Sequence, residues 1–98
     1  MIMARIHHIS NETILAACDS ELMGQTLEDE DVRLHIDTVF FGGNTVTEEE
    51  FRGMLAQATS ANLVGKITVK IAIEMECIHQ DAVAEVCGIP YAMLFCMG

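Results

Sequence analysis

The sequence has few basic residues, and this scarcity limits the partners that the chain can bind. Lysine and arginine number 5 against 15 aspartates and glutamates, so the formal net charge is −10 at pH 7. Non-specific affinity for nucleic acid comes from basic side chains that neutralise phosphates, so we expect no such binding. Two explanations of the acidic balance stay open. One is solubility through self-repulsion, and the other is adaptation to a cytosol of high salt, where ions screen that repulsion.

The sequence also lacks the segments that mark membrane and secreted proteins. No apolar run approaches the roughly 20 residues that a membrane-spanning helix needs, and the N-terminus has no long apolar core of a signal peptide. None of the cysteines forms a C-x-x-C pair. We therefore expect a cytoplasmic chain that does not contact a membrane and whose cysteines are reduced, buried and free of metal. These cysteines are Cys18, Cys77, Cys87 and Cys96.

Period-two alternation and turn residues predict the first half of the chain. Residues 2–9 and 13–18 are predicted to be the two strands of an N-terminal β-hairpin. Residues 32–36 alternate between apolar and polar and predict a third strand in the same sheet. Asp19 is expected to cap a single helical turn, which Gly24 can end. The acidic stretch between these elements predicts a loop in solvent.

Helical signals dominate the middle of the chain. Thr47 and Glu50 have the spacing of a capping box and predict the start of a helix near 48–58. The preceding aromatic pair and Gly42-Gly43 predict a turn from a strand into that helix. Residues 66–78 fit a strand and a helix about equally, and the pattern alone does not choose between them. The last apolar stretch predicts a short buried strand near 91–96.

Four short motifs stand in a characteristic order and spacing. They cover residues 17–24, 40–43, 61–65 and 87–92. Together they resemble a family of small archaeal proteins known only as domain of unknown function 424, and the resemblance covers nearly the whole chain. It implies a cytosolic archaeal protein of α/β type, with a helix over residues 66–77 and with no established activity, cofactor or substrate. The family often has His after the proline, where this chain has Tyr91, and a group with a pKa of about 10 transfers protons poorly near neutral pH.

The patterns and the resemblance together predict an α/β (α+β) fold in one domain over residues 1–98. Its small sheet would contain the N-terminal β-hairpin and the C-terminal strand. Two main helices would pack on the sheet. A chain of 98 residues that is 51% hydrophobic can bury one core of this kind.

Seven residues near the ends of predicted elements form a candidate binding site. We expect them to meet if their loops converge, and the competing explanation is that each only turns a corner. Asn62 is predicted to cap a helix, with ligand binding as the alternative. The three glutamates at 48–50 would repel a phosphate from the glycine turn, which also lacks the lysine of a phosphate-binding loop. The candidates are Asp19, Phe41, Gly42, Gly43, Asn62, Pro90 and Tyr91.

No set of residues predicts a metal, a cofactor or a catalytic centre. Cys77 and His79 offer sulfur and nitrogen ligands, but the residues that would complete a set are scattered, whereas structural zinc uses closely paired ligands. His7 and His8 are adjacent on a predicted strand, so their rings should point to opposite faces. We therefore expect no metal site and no cofactor.

Two functions from different classes remain. The first is a non-catalytic binding or adaptor module that docks on a basic protein surface or on a ribonucleoprotein, such as the translation or RNA-processing apparatus. The second is a small-ligand binder or enzyme with a site around Asp19, Gly42, Gly43, Asn62 and Tyr91. A pocket of roughly 300 Å³ or more containing Asn62 and Tyr91 would indicate the second function. A flat apolar patch with an acidic rim would indicate the first.

Overall fold

The computed structural model describes residues 1–95, which fold into two β-sheets and three helices. The helices are α1 (Thr38–Phe41), α2 (Glu48–Gln57) and α3 (Lys66–Glu74). Short 3-10 turns follow the second strand and precede the seventh. The strands are β1 (Ile2–Ile9), β2 (Glu12–Asp19), β3 (Thr26–Glu28), β4 (Arg33–His35), β5 (Asn44–Val46), β6 (Ser60–Val64), β7 (Ala84–Val86) and β8 (Ile89–Phe95).

The main sheet has six strands in the order β5-β1-β2-β6-β8-β7. Its two central strands, β2 and β6, are parallel, and every other neighbouring pair is antiparallel. The chain between these two strands makes the small sheet β3–β4, then α1, β5 and α2. The connection from β6 to β8 contains α3 and the edge strand β7.

The two faces of the main sheet are covered by different elements. We call the first the helix face, because α2 and α3 pack on it through residues such as Phe51, Leu55 and Val69. The sheet contributes side chains that share this face by register, among them Leu15 and Ala61. The central strand β2 is buried on both sides from Leu15 to Asp19, as expected for a strand between two layers.

We call the opposite side the hairpin face, because the small sheet β3–β4 and α1 pack on it. The covering side chains include Leu27, Ile36 and Phe41, and they lie against Cys18 and Val64 of the main sheet. This cover reaches only the half of the face that is closest to the start of β1. The two layers therefore differ in extent, which leaves part of the hairpin face in contact with solvent.

The predicted fold class is confirmed. The N-terminal hairpin, the two main helices on one face of the sheet and the C-terminal strand are all present. The capping box at the start of α2 is formed, with the Thr47 hydroxyl accepting from the Glu50 N–H and the Glu50 carboxylate accepting from the Thr47 N–H. Residues 66–74 are helical, as the resemblance implied. The predicted end of the last strand, Cys96, lies outside the described residues.

Several local predictions were wrong. The strand near 32–36 pairs with β3 in the small sheet instead of joining the main sheet. Phe40 and Phe41 belong to the helix α1, and a further strand, β5, separates α1 from α2. Asn62 caps no helix, because it lies within the central strand β6. Asp19 does not bond to the helical turn that follows it.

The surface charge predicts how stability depends on salt. Asp19 is the one buried acidic residue, and every other aspartate and glutamate is exposed. Because these like charges repel one another, screening should stabilise the folded chain. We expect the melting temperature to rise between low salt and 1 M potassium chloride, measured by circular dichroism at about 20 mM and 1 M salt, where the screening lengths differ several-fold.

The substitution Glu30→Lys supplies the matched control for this measurement. Glu30 is exposed in the acidic loop between β3 and β4, so the change removes repulsion without altering the core. The variant should melt at a higher temperature than the parent at low salt and should gain less from added salt. A melting temperature that falls as salt rises would contradict the role of repulsion.

Candidate functional site

Asp19 joins the central strands to α3. Its carboxylate is buried and accepts hydrogen bonds from the backbone N–H groups of Ile67 (3.0 Å) and Thr68 (2.9 Å) and from the Thr68 hydroxyl (2.7 Å). These are donors of the first turn of α3, which have no partner within the helix. Gly65 precedes that turn with a φ of +118°, and a Cβ there would overlap the carboxylate. Asp19 is thus a structural cap whose acceptor atoms are already occupied.

The paired glycines let backbones approach closely. A side chain at Gly42, which follows the last residue of α1, would overlap the carbonyl of Thr38, the first residue of that helix. A side chain at Gly43 would overlap the carbonyl of Ala4, where β5 begins beside β1. Both positions therefore require glycine for packing within the chain. Neither glycine is among the residues that line the hollow described next.

Three of the seven candidates surround one small hollow on the hairpin face. Phe41, Asn62 and Tyr91 line a cavity of about 170 Å³, together with Leu34 and Met93. Asn62 and Tyr91 lie on the same face because Asn62 is opposite Met93 and Val64 is opposite Tyr91 in the register of β6 with β8. The volume is below the roughly 300 Å³ at which pockets begin to enclose small-molecule ligands. It is closer to the space of one apolar side chain.

Asp19 and Pro90 lie on the helix face, so the sheet separates them from this hollow. The carbonyl of Pro90 accepts a hydrogen bond from the Gly65 N–H at 2.8 Å. Pro90 also lines an open groove of about 480 Å³ beside α3, into which Lys66 and Lys70 face. The predicted site residues are thus divided between two faces and the glycine turn, and only Phe41, Asn62 and Tyr91 come together.

The half of the hairpin face beyond the hollow has exposed apolar side chains. Met93 is 66% exposed, Phe95 is 74% exposed and Ile9 is 57% exposed. Phe95 and Ile14 belong to one row across the sheet, because Ile14 is opposite Ser60 and Ser60 is opposite Phe95. The predicted C-terminal strand is present, but the prediction that it is buried was wrong for Met93 and Phe95. We call this region the open half, and its members are Ile9, Ile14, Asn62, Met93 and Phe95.

Two side chains of β1 hold α1 against the sheet and were not among the predicted site residues. The Arg5 guanidinium donates to the carbonyl of Val39 at 2.9 Å, and His7 Nε2 lies 2.9 Å from the carbonyl of Phe40. The His7 and Phe40 rings also stack with centroids 4.8 Å apart. Arg5 and His7 are two residues apart on β1, so strand alternation already placed them on one face. His8 is exposed on the other, as the adjacency predicted.

The described cysteines differ in exposure. Cys18 is fully buried, Cys77 is half-buried and Cys87 is exposed, so the expectation of buried thiols was wrong for Cys87. Burial raises the pKa of the Cys18 thiol to about 11, with a smaller contribution from Asp19 and then Glu21. Cys87 forms a type I′ turn with Gly88, because both have a positive φ. Such a turn lies at the tip of the β7–β8 hairpin, in contact with water.

Residues 1–95 contain no group of three or more His, Cys, Asp or Glu side chains that could hold a metal ion. Within the same residues, no helix has the length and hydropathy needed to cross a bilayer.

The comparison with protein families agrees with the motifs described above. Residues 7–97 match the model of a family described as a protein of unknown function, DUF424. The chain belongs to this family. No curated protein matches the chain. The match spans both faces of the sheet, the hollow and the open half, so the DUF424 family model covers all seven candidate residues.

A solved structure shares the fold of this DUF424 protein. It is the crystal structure of an uncharacterized conserved protein from Methanopyrus kandleri, with a TM-score of 0.78 and 20% sequence identity. The alignment covers 96% of this chain and 90% of the other. At this level of identity the likeness concerns the fold alone.

The cap formed by Asp19 generates a prediction about stability. Asp19→Ala should lower the free energy of unfolding by about 3 kcal/mol or more, because the buried N–H and hydroxyl of Thr68 lose their acceptor. Asp19→Asn should fall between the parent and the alanine variant, since one oxygen acceptor remains and an amide group replaces the other. Urea unfolding measures both changes. Asp81→Ala is the control, because that side chain is 91% exposed, and equal stability of the Asp19 and Asp81 variants would contradict the structural role.

The thiols generate a second prediction. In a background that carries both Cys77→Ser and Cys96→Ser, Cys87 should react rapidly with a disulfide reagent at pH 8, and Cys18 should react only after unfolding. With a pKa of about 11, roughly a thousandth of the Cys18 thiol is ionised at pH 8. A fast reaction that survives Cys87→Ser would contradict the assignment of the reactive thiol.

The raised pKa of Cys18 also predicts how stability depends on pH. Because this thiol ionises at lower pH when the chain is unfolded, its contribution to the free energy of unfolding should be constant below pH 9 and should be lost between pH 9 and 11.

Proposed function

We propose that this protein is a non-catalytic, protein-binding module of the cytoplasm that docks on its partner through the open half of the hairpin face. The observation that supports this proposal most directly is the exposure of Met93 and Phe95 side by side on one strand of that face. Side chains of this kind are enriched at the centres of protein interfaces. A face that exposes them in a row offers apolar area that a partner can remove from water.

The small hollow supports the same function. It lies between the covered part of the face and Met93, and its lining is mostly apolar, with Asn62 as a polar residue of that lining. An apolar side chain of a partner would fill a space of about 170 Å³. A buried anchor beside flatter contacts is typical of the residues that dominate binding energy.

The charge indicates the kind of partner. A chain with a net charge of −10 attracts basic surfaces and repels acidic ones, which steers encounter and selects partners. Glu12, which is opposite Ile9 in the hairpin register, adds an acidic group at the border of the open half. We infer that the partner is a protein with a basic surface. Proteins of ribonucleoprotein particles, including the translation and RNA-processing apparatus, are the class that fits this description.

The alternative function, a small-ligand binder with a site around Asp19, Gly42, Gly43, Asn62 and Tyr91, has less support. The Asp19 carboxylate already accepts hydrogen bonds from α3. At both glycines, backbone carbonyls occupy the space that a side chain would take. Only Asn62 and Tyr91 remain available to a ligand, in a hollow smaller than ligand pockets usually are.

The proposal is tested by affinity capture from a lysate of the organism that encodes the chain, at its native salt, with the retained proteins identified by mass spectrometry. The parent should retain a specific basic protein, and Phe95→Asp should lose it. Loss of an aromatic anchor of this kind typically costs about 2 kcal/mol or more, which is roughly a thirtyfold change in affinity.

Ala56→Asp is the matched control, because Ala56 is exposed on α2 at the opposite face. It adds the same charge and should leave capture unchanged. Asn62→Ala distinguishes the alternative function, since a small ligand in the hollow would depend on that amide. Equal retention by the parent and Phe95→Asp, at equal melting temperatures, would reject docking through the open half.

A further inference from the structure

The outer edge of β8 is only partly covered. β7 has three residues and pairs with Ile89, Pro90 and Tyr91, whereas β8 continues to Phe95. On its inner side, the whole segment from Tyr91 to Phe95 pairs with β6. Among residues 1–95, no strand and no backbone hydrogen bond occupies the outer side of residues 92–95. A four-residue edge of the main sheet is therefore open.

The register identifies which backbone groups face outward. The Gly65 N–H donates to the Pro90 carbonyl, so the backbone of Pro90 faces β6. Successive residues of an antiparallel strand direct their N–H and C=O groups to alternate sides. Ala92 and Leu94 therefore also bond toward β6. The N–H and C=O groups of Met93 and Phe95 point away from β6, into the open edge.

This edge has none of the features that normally protect an exposed strand. Sheet edges are usually blocked by charged side chains, prolines or bulges, because unpaired backbone groups otherwise recruit another strand. Residues 92–95 are Ala, Met, Leu and Phe, without charge or proline. The open part of β1 at the other end of the sheet differs, because it contains Arg5, His7 and His8 beyond the three residues that β5 covers. The edge at residues 92–95 is thus less protected than the open part of β1.

We infer that an extended segment of a basic partner protein adds to the main sheet as a strand along residues 92–95 of β8. The segment would exchange backbone hydrogen bonds with Met93 and Phe95, and every second side chain would pack beside those two on the hairpin face. This inference rests on the proposed function and specifies how the partner docks. It predicts a partner sequence that alternates apolar and polar residues and is flanked by Lys or Arg.

Charge decides between this occupant and a second copy of the chain. Two copies joined at β8 would bring together two bodies that each have a net charge of −10, and the four-residue edge offers few bonds to offset that repulsion. A segment with basic flanks is attracted by the same charge. We therefore assign the edge to a basic segment of another protein.

The test uses a displayed library of random nine-residue peptides, selected on the full-length chain at low salt. Enriched peptides are synthesised, and their binding is measured by fluorescence anisotropy to the parent, Met93→Ala and Met93→Pro. Proline at 93 removes an N–H that β6 does not use, which is where an edge strand tolerates proline. The alanine variant removes the same side chain and keeps the N–H.

We expect enriched peptides with alternating apolar residues and a positive net charge, whose affinity falls as salt rises. Met93→Pro should bind at least tenfold more weakly than Met93→Ala, as loss of a backbone bond at an interface implies. A second measurement needs no variant. Hydrogen exchange at the amides of Met93 and Phe95 should be fast in the free chain and should slow when a peptide binds, while the amides of Ala92 and Leu94 are protected in both states.

The outcomes separate this inference from the proposed function. If Phe95→Asp abolishes peptide binding while Met93→Pro binds like Met93→Ala and amide exchange does not change, strand addition is wrong and docking through the open half stands. If neither Phe95→Asp nor Met93→Pro weakens binding, both are wrong. If light scattering shows a dimer that Met93→Pro converts to a monomer, the edge is occupied by a second copy and the assignment to a basic segment is overturned.

Discussion

The buried carboxylate of Asp19 is the contact on which the arrangement of the chain depends. It stands at the end of β2, beside the end of β6, and accepts from the first turn of α3. One side chain thus connects the two central strands to the helix that follows them. The helix α2 packs on the same face beside α3 through its own apolar side chains, Phe51 and Leu55. Gly65 is required at the same point because any side chain would displace the carboxylate.

The division of the molecule into two unequal layers explains where binding can occur. Two helices cover the helix face, and their side chains form one continuous core with the sheet. The small sheet and α1 cover about half of the hairpin face. The remaining half exposes apolar side chains that a fully covered sheet would have buried. The proposed docking surface therefore results from the incomplete cover of one face of the sheet.

The sequence predicted the elements that have a local cause. The hairpin followed from alternation, and α2 followed from the capping box between Thr47 and Glu50. The prediction failed for elements that depend on pairing with residues distant along the chain. β6 was missed because Ser60 and Asn62 interrupt its apolar pattern, and its parallel partner is 46 residues away at Ile14↔Ser60. The helix α3 was predicted only from the family resemblance, because its residues alternate between apolar and polar as those of a strand do.

The candidate site was predicted in part for the same reason. Phe41, Asn62 and Tyr91 do come together. Their positions near the ends of predicted elements, however, did not indicate which face of the sheet each side chain would occupy. Asp19 and Asn62 are separated by the thickness of the sheet, a fact that depends on register. Met93 and Phe95 were predicted to be buried, because the sequence of an apolar strand does not indicate that one of its faces lacks a covering layer.

The parallel pairing of β2 with β6 also has a consequence for the order of folding. The β1–β2 hairpin closes a short turn, which takes microseconds. Strand β6 can join β2 only after the 40 residues between the two strands have been brought back, and closing such a loop costs entropy before any contact repays it. The bonds from Asp19 to α3 can form only after that step. These bonds should therefore lower the unfolding rate far more than they raise the folding rate. Asp19 would then contribute mainly to the kinetic stability of the native state.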